Sequence, residues 1–180
     1  MNGNTYLMSM FYVPLLHIVI DGWKKKKSNL LKIIEKRKFS YGYRERIKSD
    51  FYKENQQSYA KKIQDILSYE IKNAGTHFGF ENLNVINAWF EKAERNMYHQ
   101  IHNHGAYGVS AVCFIEYDSQ IHTPTQFVAP FNNYINGQSL QYSPNDVKEG
   151  SILFFPSLIH HYTIPNDSDK ERVTLSFNLY

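Results

Sequence analysis

From residue 83 onward the chain is cut into short runs rich in Val, Ile, Phe, Tyr and Thr. The runs cover 83–90, 98–102, 109–117, 126–129, 151–155, 158–164 and 172–179. Turn-formers close them: His104-Gly105, Tyr117-Asp118-Ser119, Asn132-Asn133, Asn136-Gly137, Glu149-Gly150 and Asn166-Asp167-Ser168. β-Branched and aromatic side chains suit a pleated, half-buried surface. Many short strands at regular spacing leave few solutions other than a β-sandwich or a barrel. With 14 Tyr and 12 Phe in 180 residues, the composition agrees.

The first eighty residues read differently. The stretch from Leu7 to Ile20 is apolar, interrupted by Pro14 and His17, and too short for a membrane span. Its lysines follow rather than precede it and no Ala-x-Ala-like site is present, so a buried strand is expected rather than a signal peptide. Pro14 suits a strand start or edge, and Asp21-Gly22 a turn. Ser28 can cap a helix running to Lys36 with Leu30, Leu31, Ile33 and Ile34 on its apolar face. Residues 39–52 show no period and are expected to be loop. A longer helix is expected from Glu54 to Asn73, because Tyr59, Ile63, Ile66, Leu67 and Ile71 recur at spacings of three and four, with Ala74-Gly75 ending it. Helices followed by strands make an α+β, mainly β domain whose helices brace one face of the sheet. No linker or repeat interrupts it. One domain over 1–180 is expected, with 1–80 as supporting strand and helices and 81–180 as the core.

The net charge of +3 does not by itself imply nucleic acid. The excess is local: Lys24 to Lys27, Lys32, Lys36, Arg37, Lys38, Arg44, Arg46 and Lys48. Such a run is a solvated helical face or a docking surface for an acidic partner. Cys113 is the only cysteine, which excludes an intramolecular disulfide and a Cys-based zinc site and fits a reducing, cytoplasmic setting.

The densest set of metal-binding side chains is Gln100-Ile101-His102-Asn103-His104. Side chains i and i+2 leave an extended backbone on the same face, whereas a helix would point them about 200° apart. His102-x-His104 therefore reads as a strand end that delivers two imidazoles to one side. His99 lies close by, His122 falls in a loop, and His160 and His161 lie between two late strands. A third imidazole from there would complete a cap with open coordination positions, the mark of a catalytic metal. Adjacent residues on a strand face opposite ways, so only one of His160 and His161 can join; parity with Leu158 and Ile159 leaves the choice open.

The C-terminal sequence Glu149-Gly-Ser-Ile-Leu-Phe-Phe-Pro-Ser157, Leu-Ile-His-His161 and Glu171-Arg-Val-Thr-Leu-Ser-Phe-Asn178 resembles the iron(II)/2-oxoglutarate-dependent oxygenases, nearest to a subgroup common in phages and marine bacteria. The resemblance covers residues 84–180. It implies a double-stranded β-helix, a jelly-roll barrel of the cupin kind. It implies Fe(II), 2-oxoglutarate and O2 as participants, with 2-oxoglutarate converted to succinate and CO2 while a C–H bond of another substrate is oxidised, as in a hydroxylase. It makes His102 the first ligand, His104 the occupant of the usual carboxylate position and His161, fifth after Pro156, the distal ligand. Arg172 would pair with the far carboxylate of 2-oxoglutarate, its planar fork suiting that task. Thr174 and Ser110 match hydroxyl positions of the co-substrate pocket, and Phe127 and Pro130 match a Phe-x-x-Pro strand. Phe114 stands where relatives often carry Tyr. Phe114, Phe154, Phe155 and Phe177 would form an aromatic barrel interior. Two other readings remain: a cupin-type metal enzyme that does not use 2-oxoglutarate, and a binding β-sandwich with incidental histidines.

Overall fold

The structure is a computed structural model that describes residues 10–41, 46–51, 55 and 57–180. The expected features at Leu7, Arg44, Tyr52 and Glu54 lie outside the described residues.

Ten strands and three helices are present among the described residues. In chain order they are β1 (Leu16–Val19), α1 (Trp23–Ile34), β2 (Ser40–Tyr41), β3 (Lys48–Ser49), α2 (Ala60–Ile66), α3 (Ser68–Phe78) and β4 (Val85–Ala93). There follow β5 (Val109–Glu116), β6 (Gln126–Asn132), β7 (Ser139–Tyr142), β8 (Ser151–Pro156), β9 (His160–Tyr162) and β10 (Arg172–Leu179). A seven-stranded sheet has the order β1-β8-β5-β10-β4-β3-β2 and a three-stranded sheet the order β7-β6-β9. All pairs are antiparallel. Residues 96–104 lie along the free edge of β9 through the mutual backbone pair His102–His161 and the Thr163 N–H to His99 carbonyl bond. They add a fourth segment to the smaller sheet, and the fold is a double-stranded β-helix braced by helices.

The strands of the large sheet separate two cores by parity. Val173, Leu175, Phe177 and Leu179 of β10 face the helices, together with Phe154, Cys113 and Phe90. Arg172, Thr174 and Ser176 face the barrel, with Trp89 and Glu91 of β4 and Val112 and Phe114 of β5. Phe114, Phe127, Leu153, Phe155 and Ile159 fill the barrel. The expected aromatic interior is thus half right. Phe114 and Phe155 are inside; Phe154 and Phe177 lie on the opposite parity, beneath the helices.

The N-terminal elements depart from expectation in informative ways. The strand begins at Leu16, leaving Pro14 outside it and Phe11 and Tyr12 at 74% and 85% exposure; it is an edge strand. Helix α1 begins at Trp23, not Ser28, because Gly22 takes a left-handed φ of 65° that turns the chain into the helix. The lysine run therefore forms its first turns, lysine being a good helix former. Two of these lysines are not merely solvated. Lys26 pairs with buried Glu70 at 2.7 Å, and Lys27 with Glu116 and Glu149 at 3.0 and 2.9 Å. Trp23 lies on Gly150, where a Cβ would come within 2.8 Å of the indole and φ is 81°.

The second helical segment is two helices, broken at Leu67 (φ −107°, ψ 22°), and it ends at Gly79 in a left-handed cap rather than at Gly75. The expected apolar face holds: Tyr59, Ile63, Leu67 and Ile71 are all at most 1% exposed. Each such side chain contributes about 1.5–3 kcal/mol by burial. Residues 39–52, expected as loop, contribute β2 and β3. Strand β7 was not expected; all four of its residues are exposed, so it carries no alternation to read. Among the described residues no helix is long and apolar enough to cross a membrane.

Candidate metal centre

His102 and His104 do not sit on a regular strand. Residues 98–104 change partners along their length, Tyr98 bridging Arg46 and His102 bridging His161, so no continuous ladder forms. The backbone is nonetheless held in place by the His102–His161 pair at 3.0 and 2.9 Å and by His104 N–H to the Ser157 carbonyl at 2.9 Å. One ring nitrogen each from His102, His104 and His161 lies within 4.8 Å of the others. His161, buried at 3% exposure, packs on Phe155 and Phe127, whereas His160 is exposed and its Nε2 meets Asn103 Nδ2 at 3.4 Å. The strand facing left open by parity thus puts His161 inward.

The second nitrogens of these rings define the first. His102 Nδ1 faces the Gln100 carbonyl at 2.7 Å and His161 Nδ1 the Ile159 carbonyl at 3.0 Å. A carbonyl only accepts, so both Nδ1 atoms carry the proton and both Nε2 atoms present lone pairs. His161 Nε2 lies 3.2 Å from His104 Nε2. Burial, then repulsion from neighbouring histidines (His99 for His102, His102 for the other two), pushes the pKa of all three rings down, that of His104 to about 4. Neutral imidazoles with converging lone pairs fit a divalent transition metal.

Beside them lies a narrow cavity lined by Arg172, Thr174, Ser176, Thr123, Thr125 and Glu91. Arg172 is 3% exposed; its Nη1 donates to the Thr123 carbonyl at 2.9 Å, and its Nη2 is buried with no hydrogen-bond partner. An orphaned guanidinium nitrogen costs free energy unless something accepts from it. A carboxylate would meet that requirement, and Thr174, 7% exposed on the same face, brings a hydroxyl to the lining. Ser110 shares this sheet face but does not line the cavity. Its Oγ is engaged at 2.8 Å with both Ser157 Oγ and Asn178 Oδ1, which links β5 to β10 and to the residue that follows β8.

A second, more open cleft of about 280 Å3 reaches the same histidines from outside, lined by Ser49, Phe51, Trp89, Glu91, His99 and Asn103. His122 is a structural residue: its Nδ1 accepts from the Asp118 N–H and its Nε2 donates to the Lys170 carbonyl, each at 3.0 Å.

Glu91 escaped the sequence reading because the expected strand stopped at Phe90. It is 6% exposed, and its Oε1 accepts from Trp89 Nε1 at 3.1 Å and lies 3.0 Å from His99 Nδ1. Burial alone would raise its carboxyl, but His99, then His102 and the Trp89 N–H, hold it down at about 2. The signal available in the sequence was parity: Glu91 alternates with Trp89 and Ala93, on the inward face.

A double-stranded β-helix that gathers three imidazoles next to a buried, half-satisfied arginine is the architecture of a non-haem metal oxygenase. A model of the family described as "Putative 2OG-Fe(II) oxygenase" matches residues 87–178, about half of the chain, and the chain belongs to this family. Iron(II), 2-oxoglutarate and O2 are the participants in its reaction. Solved structures with the same fold include an oxidoreductase of the 2OG-Fe(II) oxygenase family from Burkholderia pseudomallei, at 10% identity and TM-score 0.66, covering 92% of this chain and 83% of that one. A prolyl-4-hydroxylase from Pseudomonas putida matches at 14% identity and TM-score 0.57, covering 92% and 91%. HygX from Streptomyces hygroscopicus, solved with nickel, 2-oxoglutarate and hygromycin B, matches at 11% identity and TM-score 0.62, covering 93% and 82%. No curated protein matches the chain.

Proposed function

We propose that the chain is a hydroxylase in which His102, His104 and His161 hold iron(II) and Arg172 with Thr174 anchors 2-oxoglutarate. The observation that carries this reading is the orphaned, buried Arg172 Nη2 in the cavity beside three converging imidazole nitrogens. The metal, when bound, supplies the oxidising chemistry. The chain's own residues do the rest. Arg172 and Thr174 orient the co-substrate from its far end. The Gln100 and Ile159 carbonyls fix the rings of His102 and His161. Phe114, Phe155 and Phe127 exclude water from the inner wall. The cleft past Trp89 and Phe51 is the approach for the oxidised substrate, about 280 Å3 and so of a size for one side chain or a small ring. The orphaned arginine also favours this reading over a cupin-type enzyme without 2-oxoglutarate, which has no use for a buried cation there.

Strands β1, β2 and β3 pair within the same sheet as the barrel strands, which supports treating 1–180 as one domain. Cys113 is fully buried, and burial pushes its thiol pKa up, so it is inert rather than redox-active. A reducing cytoplasm, which also preserves iron(II), is the proposed compartment.

The test is anaerobic addition of Fe(II) and then 2-oxoglutarate to the apoprotein. A visible charge-transfer band that grows only when both are present supports the reading. Stoichiometric metal without that band would favour the cupin-type alternative, and no metal binding would remove the enzyme reading for these residues.

A further inference from the structure

Three imidazoles bring no negative charge to a divalent cation, and yet a carboxylate is buried one ring away from them. Among the described residues lining the inner cavity and the outer cleft, Glu91 is the only acidic one. It lies opposite Thr174 in the β4–β10 ladder, two pairs from Arg172 and on the same face. Its Oε1 is 3.0 Å from His99 Nδ1, and the His99 ring stacks on that of His102 with centroids 4.0 Å apart. The same oxygen accepts from the Trp89 N–H, and the Trp89 ring in turn lies 5.3 Å from that of His104. The carboxylate thus reaches one ligand ring through His99 and another through Trp89.

We propose that Glu91 is the positioning residue that supplies, one ring removed from the metal, the negative charge that His104 does not. This rests on the metal assignment made above. The charge count motivates it: with the three ligand imidazoles neutral, iron(II) and a dianionic co-substrate cancel, and Glu91 is the carboxylate in the lining that offsets the buried cations, Arg172 and protonated His99. Removing Glu91 would leave an uncompensated buried positive charge, which a low-dielectric interior does not tolerate. A carboxylate at position 104 would balance the site equally well, so the two positions are alternatives for the same charge. Direct ligation by Glu91 is not the arrangement seen, because the three-nitrogen group within 4.8 Å does not include it.

The test uses Fe(II) alone, added anaerobically to wild type, Glu91→Gln, His104→Asp and the double variant Glu91→Gln/His104→Asp. Wild type must bind Fe(II); if it does not, the metal assignment itself is wrong and Glu91 is not at issue. Given binding, Glu91→Gln should weaken Fe(II) about tenfold or more and raise the Fe(III)/Fe(II) potential, because a nearby anion favours the ferric state. His104→Asp in the Glu91→Gln background should restore affinity and lower the potential again, a non-additive pair. A purely structural Glu91 would show a lower melting temperature with no rescue by His104→Asp. That result, or an unchanged Fe(II) affinity and potential in Glu91→Gln, would overturn the proposal.

Discussion

Replacing Arg172 by Ala isolates the co-substrate anchor from the metal. Arg172 starts β10 and reaches the cavity at 3% exposure, with Nη1 committed to the Thr123 carbonyl at 2.9 Å and Nη2 unpartnered. One guanidinium nitrogen, not the whole fork, is therefore free for a carboxylate. A hydrogen bond to a charged partner contributes about 1.5–3 kcal/mol, and truncation also leaves the co-substrate's carboxylate facing an apolar wall. Together these predict a loss of about 2–4 kcal/mol, or roughly 30- to 700-fold in the dissociation constant for 2-oxoglutarate. Fe(II) should stay bound, because no ligand contacts Arg172 in the hydrogen-bond pattern and losing a nearby cation does not weaken a divalent metal. Arg172→Lys should fall between, since an ammonium keeps the charge but cannot serve the Thr123 carbonyl and the carboxylate in one plane. Anaerobic titration of the iron-loaded protein with 2-oxoglutarate, by calorimetry or by the visible band, reads both quantities. An Arg172→Ala protein that retains metal and binds 2-oxoglutarate with wild-type affinity would refute the anchor.

Other substitutions test neighbouring parts of the argument. His161→Ala should abolish conversion of 2-oxoglutarate to succinate, whereas His160→Ala should retain most of it, because His160 points to solvent; succinate assays without primary substrate separate the two. Lys26→Ala strands Glu70, 1% exposed, without its cation and should destabilise the fold by about 3–5 kcal/mol in urea melts. The metal-free protein should also weaken in mild acid. The folded pKa of His104 is depressed from 6.5 to about 4, so between these values the unfolded chain binds more protons and stability falls as pH falls. His104 alone then removes about 2 kcal/mol between pH 7.5 and pH 5. Melting curves at the two pH values check this, and equal stability would mean that His104 is solvated.

The local code of this chain determined most of its strands. Alternation is written residue by residue, so β4, β5, β8 and β10 were legible within a few positions, and so was the buried face Tyr59, Ile63, Leu67 and Ile71. His102-x-His104 was legible too, because extended geometry alone puts both rings on one side. Sequence could not tell where α1 begins, because its start depends on a left-handed torsion at Gly22 and on Trp23 seating over Gly150, 127 residues away in the chain. Nor could parity choose between His160 and His161, since a strand has two faces and only a partner names the inner one; pairing with His102 and Phe127 made that choice. The same holds for the polar residues on the barrel face of the large sheet. Ser110 and Thr174 share it, but Ser157 and Asn178 engage Ser110, while Thr174 borders the cavity. Glu91 acquires its place only when β4 pairs with β10 and residues 96–104 fold back to set His99 against it. Side-chain type and period are local properties, whereas burial, facing and charge compensation are relations between segments, and those exist only once the sheets have closed.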